Sequence, residues 1–140
     1  MVYLEPTPYV LGLIDALVDR KDYKITAWFV SQDLSSASRV RLVVRGDGRD
    51  YQFRIRHGTD FDGVSWRASF PTSDDWQTVE IPLDQLVPVW RGRKVPQAGP
   101  VVPSKIEQVG FLLADKKPGL FELEVRQIEF LGPDVVASVD

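Results

Sequence analysis

Apolar and polar residues alternate along three consecutive stretches of the chain, all within Leu34–Phe70. The stretches are Arg39–Arg45, Tyr51–His57 and Val64–Phe70. A period of two residues is typical of a β-strand with one buried face, so each stretch predicts such a strand. The predicted inward side chains are Val40, Leu42, Val44, Tyr51, Phe53, Ile55, Val64, Trp66, Ala68 and Phe70. The opposite face of these strands carries arginine, serine and glutamine.

The first two of these strands are separated by Gly46-Asp47-Gly48, and the last two by the polar segment Gly58–Gly63. Glycine and aspartate tolerate the backbone angles of tight turns, so the pattern predicts antiparallel hairpins. The triplet Arg45-Gly46-Asp47 also matches a recognition motif or a phosphate-binding loop, but a turn is favoured because no predicted helix follows it. Three neighbouring strands would then share one apolar face and one face rich in arginine.

Further short strands separated by turns are predicted along the rest of the chain. They are Val2–Leu4, Tyr9–Val18 (where a helix is the open alternative), Lys24–Ser31, Trp76–Pro82, Ile106–Ala114 and Leu120–Leu131. Val87–Ser104 contains four prolines and is predicted to be a long loop, because each proline removes a donor that a central strand needs. The expected fold is an all-β, antiparallel jelly-roll β-sandwich in one domain over residues 1–131, with a flexible tail at 132–140.

Composition limits the function classes. The chain has 140 residues, 44% hydrophobic content and a net charge of −3, which favours a packed domain and disfavours nucleic acid as a partner. It contains no cysteine, so disulfides and thiolate chemistry are excluded. We see neither a secretory signal nor an apolar run of the ~20 residues that cross a bilayer. We therefore expect no membrane insertion and an intracellular location, in the cytoplasm or, after removal of a targeting segment, in an organelle matrix or stroma.

Candidate catalytic and metal-binding residues are few. His57 is the single histidine, and its position at the end of a strand favours a structural role over general acid–base catalysis. Four loop carboxylates suggest calcium ligands, but their spacing favours solvated loop residues. These are Asp60, Asp62, Asp74 and Asp75. We expect no enzyme activity, no metal and no cofactor.

The polar face of the predicted strands is the first candidate binding surface. It is formed by Arg39, Arg41, Arg54, Arg56 and Arg67. Five guanidinium groups on one sheet face form a docking surface for an acidic partner. The open alternative is a solvated face whose arginines pair with Glu122 and Glu124 of another strand.

Tryptophans provide the second candidate surface. Trp66 and Trp76 lie in predicted strands and are expected in the core. Trp90 lies beside Arg91 and Arg93 in the proline-rich loop, where an exposed aromatic ring flanked by guanidinium groups predicts an interface anchor. The alternative is that Trp90 packs beneath the loop and holds it in place.

Four runs of the sequence together resemble the complex I intermediate-associated protein family. They are VRLVVRGDGRDYQFRIR, DGVSWRASFPT, DWQTVEIPLDQLVPVWRGRKVPQAGPV and KIEQVGFLLADKKPGLFELEVRQIEF, and the resemblance extends over about Gly12–Phe130. It implies a galactose-binding-domain-like jelly roll. It also implies that Arg45–Arg49 is the family's hairpin turn, Trp76 its strand-opening tryptophan and Trp90–Arg93 its loop signature, with Gly110 and Asp115 in the next-to-last strand.

This resemblance implies a non-enzymatic protein-binding module, an assembly or accessory factor of a membrane-bound respiratory or photosynthetic electron-transfer complex. Its partners would be protein subunits of that complex. The family's usual opening, a tryptophan-containing strand and an Asp-x-x-Met-Gly-Gly-type segment, has no match before Gly12, so we expect a fragment or a short form that accepts strand addition at its N-terminal edge. The alternative function is a carbohydrate-binding module of the jelly-roll type.

Overall fold

The structure of the protein is a computed structural model that describes residues 2–4, 9–11, 25–29, 34–58, 63–113, 115, 117 and 121–132. Within these residues the chain forms eleven β-strands. The strands are β1 Val2–Leu4, β2 Tyr9–Leu11, β3 Ile25–Phe29, β4 Arg39–Gly46, β5 Asp50–Arg56, β6 Ser65–Pro71, β7 Gln77–Pro82, β8 Val87–Trp90, β9 Arg93–Lys94, β10 Gln108–Leu113 and β11 Leu123–Leu131. Three single 3₁₀ turns lie between them, at Leu83–Gln85, Pro96–Ala98 and Pro103–Lys105.

The strands form two antiparallel sheets. Sheet A has the order β1-β11-β4-β7, and β2 also pairs with β11. Sheet B has the order β3-β10-β5-β6-β8-β9. Inward side chains of both sheets belong to a single hydrophobic core, in which Val40, Leu42, Phe53 and Ile55 are fully buried. The prediction of an all-β antiparallel sandwich is therefore confirmed.

The predicted hairpin between the first two alternating stretches is wrong. β4 pairs with β7 and β11, whereas β5 pairs with β6 and β10, so residues 46–49 cross from sheet A to sheet B. The crossing segment is anchored to Thr72 and Ser73 instead of closing a turn: Gly46 N–H donates to the Ser73 carbonyl (2.8 Å), and the Thr72 hydroxyl donates to the Arg49 carbonyl (2.7 Å). A Cβ on Gly46 would lie 2.5 Å from Thr72, so this close approach requires glycine.

Within sheet B, the second predicted pair is confirmed, because Tyr51 lies opposite Phe70 and Ile55 opposite Trp66. The proline-rich stretch differs from expectation, since its first residues form β8, which lies between β6 and β9. β8 and β9 pair at Val89–Lys94 and Trp90–Arg93. Next to these pairs, the Pro88 carbonyl accepts a hydrogen bond from Val95 N–H (3.0 Å) and so faces the β9 side. The N–H and C=O of a residue in an antiparallel strand point to the same neighbour, so the proline removes a donor on the β9 side and none from the pairing with β6.

The remaining predicted elements agree with the structure where it describes them. β10 is buried at every position, as expected of a stretch that is apolar nearly throughout, and its first residue, Gln108, is the polar exception. In β11 a register shift between Val125 and Gln127 keeps both Val125 and Ile128 in the core. Residues 12–18 and the tail at 133–140 lie outside the described part of the chain. No helix among the described residues has the length and apolar character needed to cross a membrane.

Candidate partner-binding surfaces

The five arginines predicted to share one face lie on two different sheets. Arg39 and Arg41 belong to β4 in sheet A, whereas Arg54, Arg56 and Arg67 belong to β5 and β6 in sheet B. The prediction of a single arginine face is therefore wrong. Its physical reason is the crossing at residues 46–49, which turns the polar sides of β4 and β5 away from each other on opposite outer faces of the sandwich.

On the outer face of sheet A, the arginines have carboxylate partners within the chain. Arg41 Nε lies 2.8 Å from Glu80, and its Nη1 lies 3.1 Å from Glu129, whose side chain is only 5% exposed. Arg39 lies 3.4 Å from Glu80. These contacts match the alternative interpretation of paired cross-strand charges, although Glu80 and Glu129 replace Glu122 in that role.

Arg45 extends the same pattern at the other end of β4. Its guanidinium lies 2.7 Å from Glu124, as that alternative expects, and 4.6 Å from the centre of the Trp76 ring. Arg126 approaches the same ring at 4.0 Å. Trp76 is half-buried among these cations, whereas Trp66 is buried in the core. The expectation of a core position thus holds for Trp66, and Trp76 packs on the outside of sheet A.

On the outer face of sheet B, Arg54 lies opposite Arg67 on β6 and opposite Gly110 on β10. Arg54 donates to two neutral groups: its Nε and Nη2 to the Gln52 side-chain oxygen (3.0 and 2.7 Å), and its Nη1 to the Ser65 hydroxyl (2.8 Å). Burial, and then the charges of Arg56 and Arg67, lower the pKa of Arg54 to about 10. Arg54 thus lies near two other arginines, and both side chains to which it donates are neutral.

Gln108 lies in the next row of this face, opposite Arg56. Its side chain is 1% exposed, and neither its amide nitrogen nor its amide oxygen has a hydrogen-bond partner in the part of the chain that the structure describes. Buried amides are normally paired, so this one requires an explanation.

Trp90 lies at the tip of a tight hairpin formed by β8 and β9, in which Trp90 is opposite Arg93. The two turn residues, Arg91 and Gly92, both have positive φ (49° and 79°), as in a type I′ turn. The Trp90 side chain is 41% exposed, and the Arg91 guanidinium lies 4.7 Å from its ring centre. The prediction of an exposed tryptophan flanked by arginines is confirmed, and the alternative of a ring packed beneath the loop is wrong.

The hairpin tip borders a cavity of about 340 Å³. Its lining residues are Gly63, Val64, Trp90, Val95, Gln97 and Ala98. Arg91, Arg93 and Lys94 are exposed beside it. We call Trp90, these three basic residues and the cavity the hairpin surface. It offers an apolar recess next to an aromatic ring and a local excess of positive charge.

His57 has a structural environment, as its position predicted. Its Nε2 accepts a hydrogen bond from the Val102 backbone N–H (3.0 Å), and its ring packs against Trp66 at 4.1 Å between centres. Burial, together with the charge of Lys105, lowers the pKa of His57. The imidazole therefore holds the segment after Pro100 against the end of β5, a central strand of sheet B.

Arg49 and Asp47, in the segment that crosses between the sheets, form structural contacts that the sequence did not indicate. Arg49 forms two 2.7 Å hydrogen bonds to Asp115, just beyond β10, and also donates to the Lys117 carbonyl. The Arg49 hydrogen bonds lower the pKa of Asp115. Asp47 accepts hydrogen bonds from the Tyr51 hydroxyl (3.1 Å) and the Glu122 backbone N–H (2.8 Å). Asp47 thus acts as a structural acceptor, and Asp115 lies outside the strand in which the resemblance placed it.

The calcium alternative gains no support from the described residues. No group of three or more potential metal ligands occurs among them, and Asp74 and Asp75 are exposed. Asp60 and Asp62 lie outside the described part of the chain.

The sequence did not indicate that Gln108 and Ser65 lie near the arginines of sheet B, because only the pairing of β5 with β10 and β6 brings them there.

A comparison with protein families matches residues 21–125 to the family described as Complex I intermediate-associated protein 30 (CIA30). A comparison with individual proteins finds the mouse (Mus musculus) protein "Complex I intermediate-associated protein 30, mitochondrial". It is 36% identical over 108 residues, which are 74% of this chain and 32% of the mouse protein. The chain thus spans about a third of the length of that relative.

Solved structures with a similar fold are carbohydrate-binding modules. A family 11 module of Clostridium thermocellum, in complex with a β-1,3-1,4-mixed-linked tetrasaccharide, has a TM-score of 0.59 at 18% identity and covers 89% of this chain and 87% of its own. A family 11 module from the cellulase Lic26A-Cel5E of the same organism has a TM-score of 0.61 at 18% identity, with 92% and 88% covered. At this level of identity the similarity establishes the jelly-roll fold alone.

Proposed function

The chain belongs to the complex I intermediate-associated protein 30 family, and from this premise we propose that it is a non-enzymatic protein-binding domain that assists the assembly of respiratory complex I. The name of the mouse relative links it to complex I and to the mitochondrion. That name favours the respiratory over the photosynthetic complex, and a mitochondrial location over the cytoplasm. Both choices are part of the proposal.

The observation that carries the proposal is the exposed Trp90 at the tip of a tight hairpin. Tryptophan and arginine are the residues most enriched among those that dominate binding energy at protein interfaces. Here Trp90 lies beside a recess that can receive an apolar side chain, and Arg91, Arg93 and Lys94 surround it with positive charge. The matching partner surface is an apolar protrusion within an acidic patch.

The backbone of the hairpin also suits a docking role. A two-residue turn with positive φ at both central residues matches the twist of the strands that it joins, so the tip is a regular continuation of the hairpin. Binding through a preformed tip costs little ordering entropy, so more of the contact energy contributes to affinity. Arg91 adopts positive φ without being glycine, and such strained residues cluster at binding sites.

Strand addition at the N-terminal edge is the second element of this proposal. β1 and β2 are three-residue strands that pair side by side along β11 in sheet A. A strand from a partner would pair with the outer side of β1 and β2, where main-chain groups of an edge strand are available for hydrogen bonds.

The carbohydrate-binding alternative rests on the fold alone. Sugar platforms use aromatic side chains on a sheet face, and the outward register positions of β5 and β6 carry none. These positions carry arginine, glutamine, serine, aspartate and proline. Titration calorimetry with a mixed-linked β-glucan tests this alternative, and a saturable heat of binding would favour it over protein contact.

The proposal is tested by affinity purification of the tagged full-length protein from its own source, followed by mass spectrometry. We expect subunits of complex I to be recovered well above the level in a purification from untagged cells. Recovery of a photosynthetic complex instead would redirect the proposal to that complex. Recovery of neither complex at normal expression levels would overturn it.

A further inference from the structure

The outer face of sheet B places Arg54 and Arg67 opposite each other, and neither has a carboxylate partner among the described residues. The strands of this sheet carry one acidic residue, Asp50, at the exposed start of β5. It stands two rows away from the pair formed by Arg54 and Arg67. On sheet A, by contrast, each of Arg39, Arg41 and Arg45 has a carboxylate within 3.4 Å. The arginines of β4 are therefore paired with carboxylates, whereas Arg54 on the other face donates to neutral side chains.

Hydrogen bonds to neighbouring side chains orient the Arg54 guanidinium and leave two of its N–H groups able to bind a ligand. A guanidinium has five N–H groups. Three hydrogen bonds to Gln52 and Ser65 engage Nε, Nη1 and Nη2 once each. One N–H on each terminal nitrogen remains, which is the number that a bidentate oxyanion accepts. Because both acceptors are neutral, the positive charge of Arg54 is oriented but not compensated.

Arg67 lies directly opposite Arg54 and adds a second charge at the same place. Its side chain is partly exposed, and within the described residues it makes no hydrogen bond or ion pair. Like charges directly opposite each other on a sheet face are destabilising. Burial is the main cause of the lowered pKa of Arg54, and the charges of Arg56 and then Arg67 lower it further. An anion between the two guanidinium groups would turn the repulsion into two attractions.

The neighbouring strand β10 provides space and a polar group. Gly110 faces Arg54 in register and contributes no side chain there. Gln108, one row away, is the buried amide that lacks a partner among the described residues. A buried polar group without a partner is the kind of feature that an unseen ligand or water explains. This observation is independent of the arginine cluster and lies on the same face.

We propose that the outer face of sheet B binds a small-molecule oxyanion, a carboxylate or a phosphate group, between Arg54 and Arg67, with Gln108 as a further hydrogen-bonding group. Guanidinium groups only donate, so the ligand must supply acceptors and negative charge. The Gln108 amide both donates and accepts, which suits a ligand that also carries a hydroxyl group. This site lies apart from the hairpin surface and does not depend on the partner proposed above.

The test is a titration of the purified full-length protein, followed by ¹H–¹⁵N NMR, with sodium phosphate in one series and sodium citrate in the other. Sodium chloride at matched ionic strength is the reference. We expect saturable shifts of the backbone amides of Gln52, Arg54, Arg67 and Gly110 with at least one of the two anions. The anion that saturates at lower concentration identifies the ligand as a phosphate or a carboxylate.

Arg67→Gln and Arg39→Gln form a matched pair of variants, because both residues are partly exposed on strands and only Arg67 lies in the proposed site. We expect Arg67→Gln to weaken anion binding about tenfold or more, since it removes a charged hydrogen-bonding partner, and Arg39→Gln to leave it unchanged. Absence of saturable shifts in the wild-type protein, or equal affinity in Arg67→Gln, would overturn the site. The purification of complex I subunits is unaffected by either result, so the two proposals fail separately.

Discussion

The environment of His57 determines its protonation state in the folded protein. A backbone N–H can only donate, so the ring nitrogen that accepts from Val102 at 3.0 Å must be unprotonated. Protonation would break this bond and place a cation near Lys105, the second cause of the lowered pKa of His57 after burial. The neutral imidazole is therefore part of what holds the segment after Pro100 in place.

Stability should fall on mild acidification because of this one residue. The pKa of His57 in the folded state lies below its unfolded value of about 6.5, so the unfolded chain binds the proton first. The contribution is fully present above about pH 6.5 and is lost as the pH falls through 6.5 toward the folded-state pKa. We expect the free energy of unfolding, measured with urea, to decrease from about pH 7.5 to about pH 5.5.

The chain has no other histidine, which makes the control direct. His57→Gln keeps a side-chain acceptor for Val102 N–H but does not titrate in this range. We expect the stability of this variant to be nearly independent of pH over the same interval. Equal pH dependence in the two proteins would show that His57 is not the responsible group.

At the scale of the strands, β4 shows how the pairing partners of a strand determine the role of its charges. Its arginines stand between β7 and β11, and both neighbours present glutamates. The side chain of Glu129 is 5% exposed, and Arg41 is its one ion-pair partner among the described residues. Glu80 is 43% exposed and is shared by Arg39 and Arg41. The two arginines therefore contribute unequally.

We expect Arg41→Ala to lower the free energy of unfolding by about 1.5–3 kcal/mol, because it leaves the buried Glu129 carboxylate without its charged donor. Arg39→Ala, the control on the same strand, removes only a contact to an exposed glutamate and should cost about 1 kcal/mol or less. Urea unfolding of the two variants measures the difference. A larger loss for Arg39→Ala would contradict this assignment.

The same strand marks the limit of what alternation in a sequence predicts. The period of two identified the buried side chains of β4, β5 and β6, and Val40, Phe53, Ile55 and Trp66 are all in the core. It contains no information on which strands pair, because β4 and β5 bury the same residues in one sheet or in two facing sheets. The contacts that decide this, from Thr72 to the crossing segment and from Arg49 to Asp115, join residues distant in sequence.

At the scale of the whole molecule, charge is distributed according to sheet. On the outer face of sheet A, arginines of β4 form ion pairs with glutamates, and Arg45 also packs on Trp76. The hairpin surface carries its cations beside the exposed Trp90. On the outer face of sheet B, Arg54 donates to the neutral side-chain amide of Gln52. In a chain of net charge −3, these local excesses of positive charge identify the surfaces suited to negatively charged partners.

Part of this picture was available from the sequence. Trp90, Arg91 and Arg93 were predicted as an exposed anchor because proline and glycine on both sides placed them outside the core. Ser65 and Gln108 are 43 residues apart in the numbering and meet the arginines only through the pairing of three strands, so no local pattern indicates them. The two halves of the arginine set could be separated only once the sheet order was known.

The hairpin surface is the proposed binding site for a complex I subunit. Its most direct test compares Trp90→Ala with Val102→Ala, since these are the two large apolar side chains exposed among the described residues, at 41% and 37%. The measurement is the amount of complex I subunits recovered by each tagged variant, with melting temperatures confirming that both fold. We predict that Trp90→Ala reduces recovery about tenfold or more, as expected for an interface residue worth at least ~2 kcal/mol, and that Val102→Ala recovers as much as the wild type. Equal recovery by Trp90→Ala and the wild-type protein would contradict the claim.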